Sequence, residues 1–253
     1  MRTHFFGDTA TLLGRSMRHI ARSPDTIITT AVIPIALMLL FVYVFGGAIQ
    51  TETDNYVDYL LPGIMLIAIA SGIAYTALRL FNDMSSGLFE RFHSMPIPHS
   101  SVLWAHVLTS LVANALTLVI IVLVGLAMGF RTSASPLAWL AVAGILLLFT
   151  LALTWLAVMA GLSATSVEGA TGFSYPLVFL PFISSAFVPP DTMPGPVRAF
   201  AQHQPVTPIV NTIQDLFTQQ AVGNEIWIAL AWCLGILGIA YVLAMGVYRR
   251  KVS

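Results

Sequence analysis

Charge is what this chain has least of. Only 9% of its 253 residues are Asp, Glu, Lys or Arg, where a soluble domain carries about a quarter. That is too few to cover the surface of a water-soluble fold of this length, whereas lipid tolerates such a surface. Lysine is nearly missing: Lys251, in the tail, is the sole copy. A P-loop needs a lysine in its Gly-rich turn to hold nucleotide phosphates, so ATP hydrolysis through that machinery is excluded. HExxH, CxxC and GxSxG patterns are absent as well. The lone cysteine, Cys233, allows no internal disulfide; set in an apolar run, it reads as a small packed thiol. A formal net charge of zero gives no basic footprint for nucleic acid. The first 23 residues hold four arginines and no long apolar core, so no cleavable signal peptide is expected.

What is present is apolar, 57% of the chain, gathered into runs. A membrane span needs roughly 20 apolar residues. Six stretches qualify: 27–49, 58–80, 102–129, 136–162, 168–188 and 226–248. Pro176 and Pro181 interrupt the fifth, which predicts a kinked or broken helix there. Six spans put both termini on one side. Arg2, Arg15, Arg18, Arg22, Arg79, Arg91, Arg249, Arg250 and Lys251 fall on that side, and Arg131 and Arg198 on the other. The positive-inside bias makes the termini cytoplasmic. The acidic loop with Glu52, Asp54 and Asp58 then lies outside.

Three segments between or before the spans have patterns of their own. In residues 4–22, Phe5, Phe6, Leu12, Leu13, Met17 and Ile20 recur at helical spacing beside a stripe of Arg15, Arg18 and Arg22. This reads as an amphipathic helix in the cytoplasmic interface, or else as a plain positive-inside anchor. Ser23, Pro24 and Asp25 are placed to cap the first span. Residues 84–95 include Leu88, Phe89 and Phe92 beside Glu90 and Arg91, and Pro96 and Pro98 stop any helix. A short cytoplasmic helix is expected, either a connector or a piece whose aromatics dock in a partner's groove. Residues 191–220 carry Pro194, Pro196, Pro205 and Pro208, which delimit the apolar pieces 197–201 and 209–217, each too short to span. A re-entrant hairpin dipping into the outer leaflet fits; an ordinary structured external loop is the alternative.

Candidate chemistry inside the spans is sparse. Arg79, Glu168 and Glu225 sit near predicted ends. An ion-coupled carrier places acidic groups at mid-membrane, and an intramembrane enzyme needs a polar catalytic set there; neither is visible. Asn114, Thr117, Thr150 and Thr154 read as helix–helix hydrogen-bonding groups. His93, His99 and His106 lack compact metal-site spacing and read as interfacial or capping residues, and His203 as a packing or hydrogen-bonding one. Spans, an interfacial helix, a cytoplasmic docking candidate and no energy source together suggest a permease driven by a separate subunit. A scaffold or sensor that merely tethers an ATPase, and a secondary carrier, are the alternatives.

Three stretches carry a family resemblance. One is Arg18-His19-Ile20-Ala21-Arg22-Ser23-Pro24 followed by residues 41–49, FVYVFGGAI. The second, residues 86–98, SGLFERFHSMPIP, contains Gly-x-x-Glu-Arg-x-x-x-x-Pro from Gly87 to Pro96. The third is Ala186-Phe187-Val188-Pro189, Met193-Pro194 and Gln204-Pro205-Val206-Thr207-Pro208. In these the chain resembles the permeases of the ABC type-2 exporter family, of the daunorubicin-resistance kind. The resemblance implies an all-α membrane protein: six transmembrane helices, an N-terminal amphipathic interfacial helix, a cytoplasmic coupling helix and a re-entrant helical hairpin before the last span. It implies pairing with a second permease, identical or homologous, and with two copies of an ABC ATPase subunit that binds the ATP and Mg. Coupling would run through Gly87, Leu88, Phe89, Glu90, Arg91 and Phe92. The substrate path would lie between the two permeases, lined largely by the first, second and fifth helices. The implied activity is export of an amphipathic drug, antibiotic, lipid or glycolipid, with no catalytic residue, cofactor or metal on this chain. Membrane lipid is a further expected partner, and nucleic acid is not.

Overall fold

The computed structural model describes residues 25–46, 56–86 and 99–252. Within them the chain is helical and contains no strand. In chain order the helices are α1 (Asp25–Leu40), continued as a π-helical turn over Phe41–Phe45, α2 (Tyr56–Ser85), α3 (His99–Ala127), α4 (Pro136–Ser163), α5 (Val167–Gly172), α6 (Ser174–Phe179), α7 (Gly195–His203), α8 (Val206–Thr218) and α9 (Glu225–Val252). Four helical stretches are long and apolar enough to cross a membrane: Tyr56–Ser85, Leu103–Ala127, Pro136–Ser163 and Glu225–Lys251. Thr30–Phe45 and Val167–Ile183 are shorter apolar pieces. The predicted interfacial helix, residues 4–22, and most of the predicted coupling helix lie outside the described residues. The coupling stretch was expected over 84–95, but α2 carries on through Ser85.

α2 is the hub. It packs on α1, α3, α4, α5, α6 and α8, and Leu60, Leu61, Ile64, Ile67, Ile69 and Ile73 have no exposed surface. A helix apolar all round belongs in the middle of a bundle. α9 packs mainly along α4 and presents Trp227, Leu234, Ile239 and Val242 outward. In lipid such a face costs nothing. Close crossings are made by small residues. A Cβ built on Gly161 of α4 would come within 2.7 Å of the Ala77 carbonyl oxygen on α2, and one on Gly63 within 2.6 Å of the Ala186 Cβ.

Local chemistry explains the boundaries. Ser135 caps α4, its Oγ accepting from the Ala138 N–H at 3.2 Å, with Pro136 in the first turn. The expected break in the fifth apolar stretch is present, and it falls ahead of the prolines. α5 ends at Gly172, four residues before Pro176, where the pyrrolidine ring would meet that carbonyl. Ser174 Oγ bridges the joint by donating to the Thr171 carbonyl at 2.7 Å. Pro181 then turns the chain into a single 3₁₀ turn, Leu180–Ile183.

One expectation about polar groups needs correcting. Asn114, Thr117, Thr150 and Thr154 do not join helices. Asn114 Nδ2 donates to the Ser110 carbonyl at 2.9 Å, and the threonine hydroxyls to the Ala113, Leu146 and Thr150 carbonyls, each one turn back on the same helix. In lipid the nearest free carbonyl lone pair is the cheapest partner. The bond that does cross runs from Thr76 Oγ1 on α2 to Ser110 Oγ on α3, at 2.7 Å. Arg79 lies six residues before the C-terminal end of α2, about 9 Å of helix.

Candidate functional site

The functional residues expected from sequence divide into two groups. Arg15, Arg18, Arg22 and Gly87 through Phe92 lie outside the described residues. Pro194, Pro205 and Pro208 are in place: Pro194 immediately precedes α7, Pro205 precedes α8, and Pro208 is buried in the first turn of α8. Prolines suit these positions because first-turn N–H groups have no intrahelical acceptor.

α8 is amphipathic, and its apolar face is committed. Val206, Ile209, Val210, Ile213 and Phe217 are buried at helical spacing against the bundle. The Phe217 ring meets Phe130 edge-on at 5.2 Å and lies 5.1 Å from Trp139. The helix ends at Thr218, and the left-handed backbone of Gln219 (φ 56°) lets the following Gln220 N–H return to the Asp215 carbonyl at 3.0 Å. Burial pushes the Asp215 carboxyl, beside that terminus, above its ordinary range. α7 is far less committed, with Val197 and Phe200 exposed and only Ala201 buried.

Hydrogen bonds lace this end of the bundle to α2 and to the turn that follows Pro181. Tyr59 OH donates to the Ser185 carbonyl at 2.6 Å and Tyr56 OH to the Phe187 carbonyl at 3.1 Å. Gln214 Nε2 donates to the Tyr59 carbonyl at 2.9 Å, and Ser185 Oγ to Asn211 Oδ1 at 2.5 Å. Gln204 works at both ends of its amide: Nε2 donates to the Ile183 carbonyl at 3.1 Å, and Oε1 accepts the Val206 N–H at 3.2 Å. The α3–α4 turn joins in, with Thr132 Oγ1 on the Phe217 carbonyl at 2.7 Å and the Arg131 N–H on Asp58 Oδ1 at 3.0 Å. An irregular backbone at membrane depth survives where protein satisfies its carbonyls, and these side chains do that for residues 183–187. Sequence reasoning passed over Tyr56, Tyr59, Asn211 and Gln214, and met Gln204 only as part of a family stretch. The signal was there in part: Ser184, Ser185 and Gln204 are polar residues inside otherwise apolar or proline-rich stretches.

Next to the laced turn is an aromatic cluster that hydropathy does not reveal. Phe182 and Phe187 stack at 4.8 Å, Phe41 lies 4.8 Å from Phe187, and Phe45 and Phe179 extend the row at 5.6 Å from Phe41 and 6.2 Å from Phe182. The row joins the π-helical end of α1 to the broken fifth stretch. Its outer members, with Tyr43 and Tyr175, are open: Tyr43 is 71% exposed, Tyr175 65% and Phe179 62%. π-helical turns recur at functional sites. What this surface can do is bind apolar and aromatic groups; it holds no set of groups for bond chemistry.

The histidines are dispersed. His93 is outside the described residues and His99 opens α3. His106 lies 3.1 Å from Asp83, bridging α3 to α2. His203 Nδ1 is 2.8 Å from the Ala199 carbonyl, consistent with the hydrogen-bonding role expected of it.

Four long apolar helices, one of them the buried α2, with further apolar helices between them, define a multi-pass helical membrane protein. Residues 8–218 match the family described as ABC-2 type transporter, and the chain belongs to that family. Permeases named for drug resistance are among its relatives. It is 29% identical over 247 residues to a daunorubicin resistance ABC transporter permease of Streptomyces coeruleorubidus, covering 96% of this chain and 86% of the relative. It is 27% identical over 251 residues to a probable doxorubicin resistance ABC transporter permease of Mycobacterium tuberculosis, covering 97% and 90%.

Proposed function

We propose that this chain is the permease subunit of an ATP-driven exporter that moves amphipathic compounds, such as a drug, antibiotic, lipid or glycolipid, out of the cytoplasm or inner leaflet. The observation that carries the reading is the family match over residues 8–218 together with relatives named for daunorubicin and doxorubicin resistance.

Six spans are part of the proposal. Asp25–Phe45 is 21 residues, about 31 Å of helix, close to the roughly 30 Å of a hydrocarbon core. The Val167–Ile183 stretch is the broken fifth span, with both termini cytoplasmic by the distribution of arginines. α7 and α8 form the re-entrant hairpin on the outer side. Between two permease copies, identical or homologous, the open row of Tyr43, Phe45, Tyr175 and Phe179 lines the path, offering rings to an amphipath's apolar part.

ATP and Mg are handled by an ABC ATPase, two copies per complex, seated on the 84–95 segment with Glu90 and Arg91 at the contact. Nucleotide drives transport by favouring one permease state over the other, since equal affinity for both would shift nothing. The test is the complex co-purified with its ATPase and reconstituted in liposomes. Glu90→Ala with Arg91→Ala should abolish permease-dependent ATP hydrolysis and doxorubicin export while the permease stays folded. Unchanged hydrolysis and export would sink the coupling assignment, and a chain that transports with no ATPase would point to a secondary carrier.

A further inference from the structure

Three ionisable side chains meet at the end of the bundle where α2 gives way to residues 87–98. Arg79 and Asp83 stand one turn apart on α2, and His106 faces them from α3. His106 Nε2 is 3.1 Å from Asp83 Oδ2, with the histidine side chain 15% exposed and the aspartate 38%. Arg79 Nε is buried without a hydrogen-bond partner, and its guanidinium is within electrostatic reach of the Asp83 carboxylate. A buried guanidinium nitrogen without a partner is costly, which makes this cluster of ionisable groups a candidate for a functional role. A neutral imidazole with its proton on Nε2 and an imidazolium both donate to the carboxylate, so the bridge does not depend on the charge of His106.

Its position is what gives it meaning. The chain leaves α2 at Ser85 and enters α3 at His99, so the bridge ties together the two helix ends flanking 87–98. Beside it a second core cluster, distinct from the main one, joins Leu80 of α2 and Leu103 and Val107 of α3 to Trp155 of α4 and Tyr248 of α9. The Trp155 ring meets Trp104 edge-on at 5.3 Å and Tyr241 at 4.7 Å. Four helices therefore meet in this cluster, and its members Leu80 and Val107 are chain neighbours of Arg79 and His106.

We propose that the Asp83–His106 bridge, with Arg79 beneath it, is the mechanical joint that passes a displacement of residues 87–98 into the bundle. By holding the ends of α2 and α3 at fixed spacing, it makes a load applied between them turn the pair as one body. Without it, the two ends splay and the load is lost locally. Both are positioning residues that touch neither nucleotide nor substrate. The inference rests on the reading of 87–92 as the docking segment.

The experiment uses the full chain co-purified with its ATPase in liposomes, and reads two quantities: ATPase retained per permease, and hydrolysis by the complex above that of the free ATPase. Asp83→Leu and His106→Phe, which remove the acceptor and the donor, should each keep the ATPase bound while cutting permease-dependent hydrolysis about fivefold or more, the lower range of coupling between distant sites. The exchange Asp83→His with His106→Asp should restore most of it. Should the exchange fail to fold, His106→Lys keeps a donor opposite Asp83 and should retain coupling. Single variants with unchanged hydrolysis, loss of the ATPase from them, or failure of both the exchange and the lysine variant to restore coupling would overturn the joint. A wild-type chain that retains no ATPase overturns the docking reading itself, and is recognised before any substitution is made.

Discussion

Tyr59 holds the start of α2 against two other parts of the chain. Its hydroxyl donates to the Ser185 carbonyl at 2.6 Å, and its own carbonyl accepts from Gln214 Nε2 at 2.9 Å. Ser185 is almost fully buried. One side chain thus satisfies irregular backbone after the fifth stretch, while the same residue's main chain anchors α8. Tyr59→Phe keeps the ring and removes the donor, leaving a buried carbonyl short of a partner. It should cost about 1–3 kcal/mol, read as a lowered thermal midpoint in lipid nanodiscs. An unchanged midpoint would mean that water replaces the phenol at that carbonyl.

Gln204 should matter more than its amide suggests. Its two ends serve the Ile183 carbonyl and the Val206 N–H, so Gln204→Ala orphans groups on both sides of the α7–α8 junction. A loss of about 2–3 kcal/mol is expected. Gln204→Glu retains the acceptor and loses the donor, and should fall between. Protease accessibility of the 189–205 segment in intact liposomes would report the loosening.

Gly161 permits the close crossing of α4 and α2. A methyl group there would meet the Ala77 carbonyl at 2.7 Å, and the obstacle is backbone, which cannot rotate away. Gly161→Val should cost at least about 1–3 kcal/mol by overpacking, with a matching fall in the yield of monodisperse protein. Gly144, which has open space at its Cβ position, is the control: Gly144→Ala should be neutral or mildly stabilising, since Gly is the poorer helix former.

Asp215 is a carboxylate in the last turn of α8, where the helix dipole is negative, and burial raises its pKa. A raised folded-state pKa means that the protonated form is favoured by folding. The stability it confers is therefore present at low pH and lost as pH rises through the folded value. Asp215→Asn should then raise the midpoint at neutral pH by the equivalent of about 0.5 kcal/mol. The gain should shrink as pH falls toward the ordinary aspartate range near 4. A constant difference across pH would assign the effect to something other than ionisation.

The long apolar helices and the break in the fifth stretch were legible along the chain because they follow from local quantities. Apolar length sets which segments can cross lipid, and the breaks near Pro176 and Pro181 follow from a missing N–H and a ring that meets the carbonyl four residues back. The amphipathic face of α8 could be read the same way, since residues three and four apart share a helix side. The partners of polar groups were not legible. Thr150 and Asn114 look alike in sequence to residues that bridge helices, yet they bond one turn back, while Thr76 and Ser110 form the crossing bond.

What the sequence by itself determined about this protein is its solvent, the apolar segments that meet it and the points at which they break. Scarce charge leaves lipid as the medium, and each segment's length and prolines act within a turn or two. What only the tertiary structure decided is which distant residues share a site: Tyr59 with Ser185 and Gln214, Phe41 with Phe182 and Phe187, and Asp83 with His106. Those pairings depend on how helices far apart in the chain cross and rotate. That is set by the close approaches at Gly63 and Gly161 and by the burial of α2 on all sides, summed over the whole bundle.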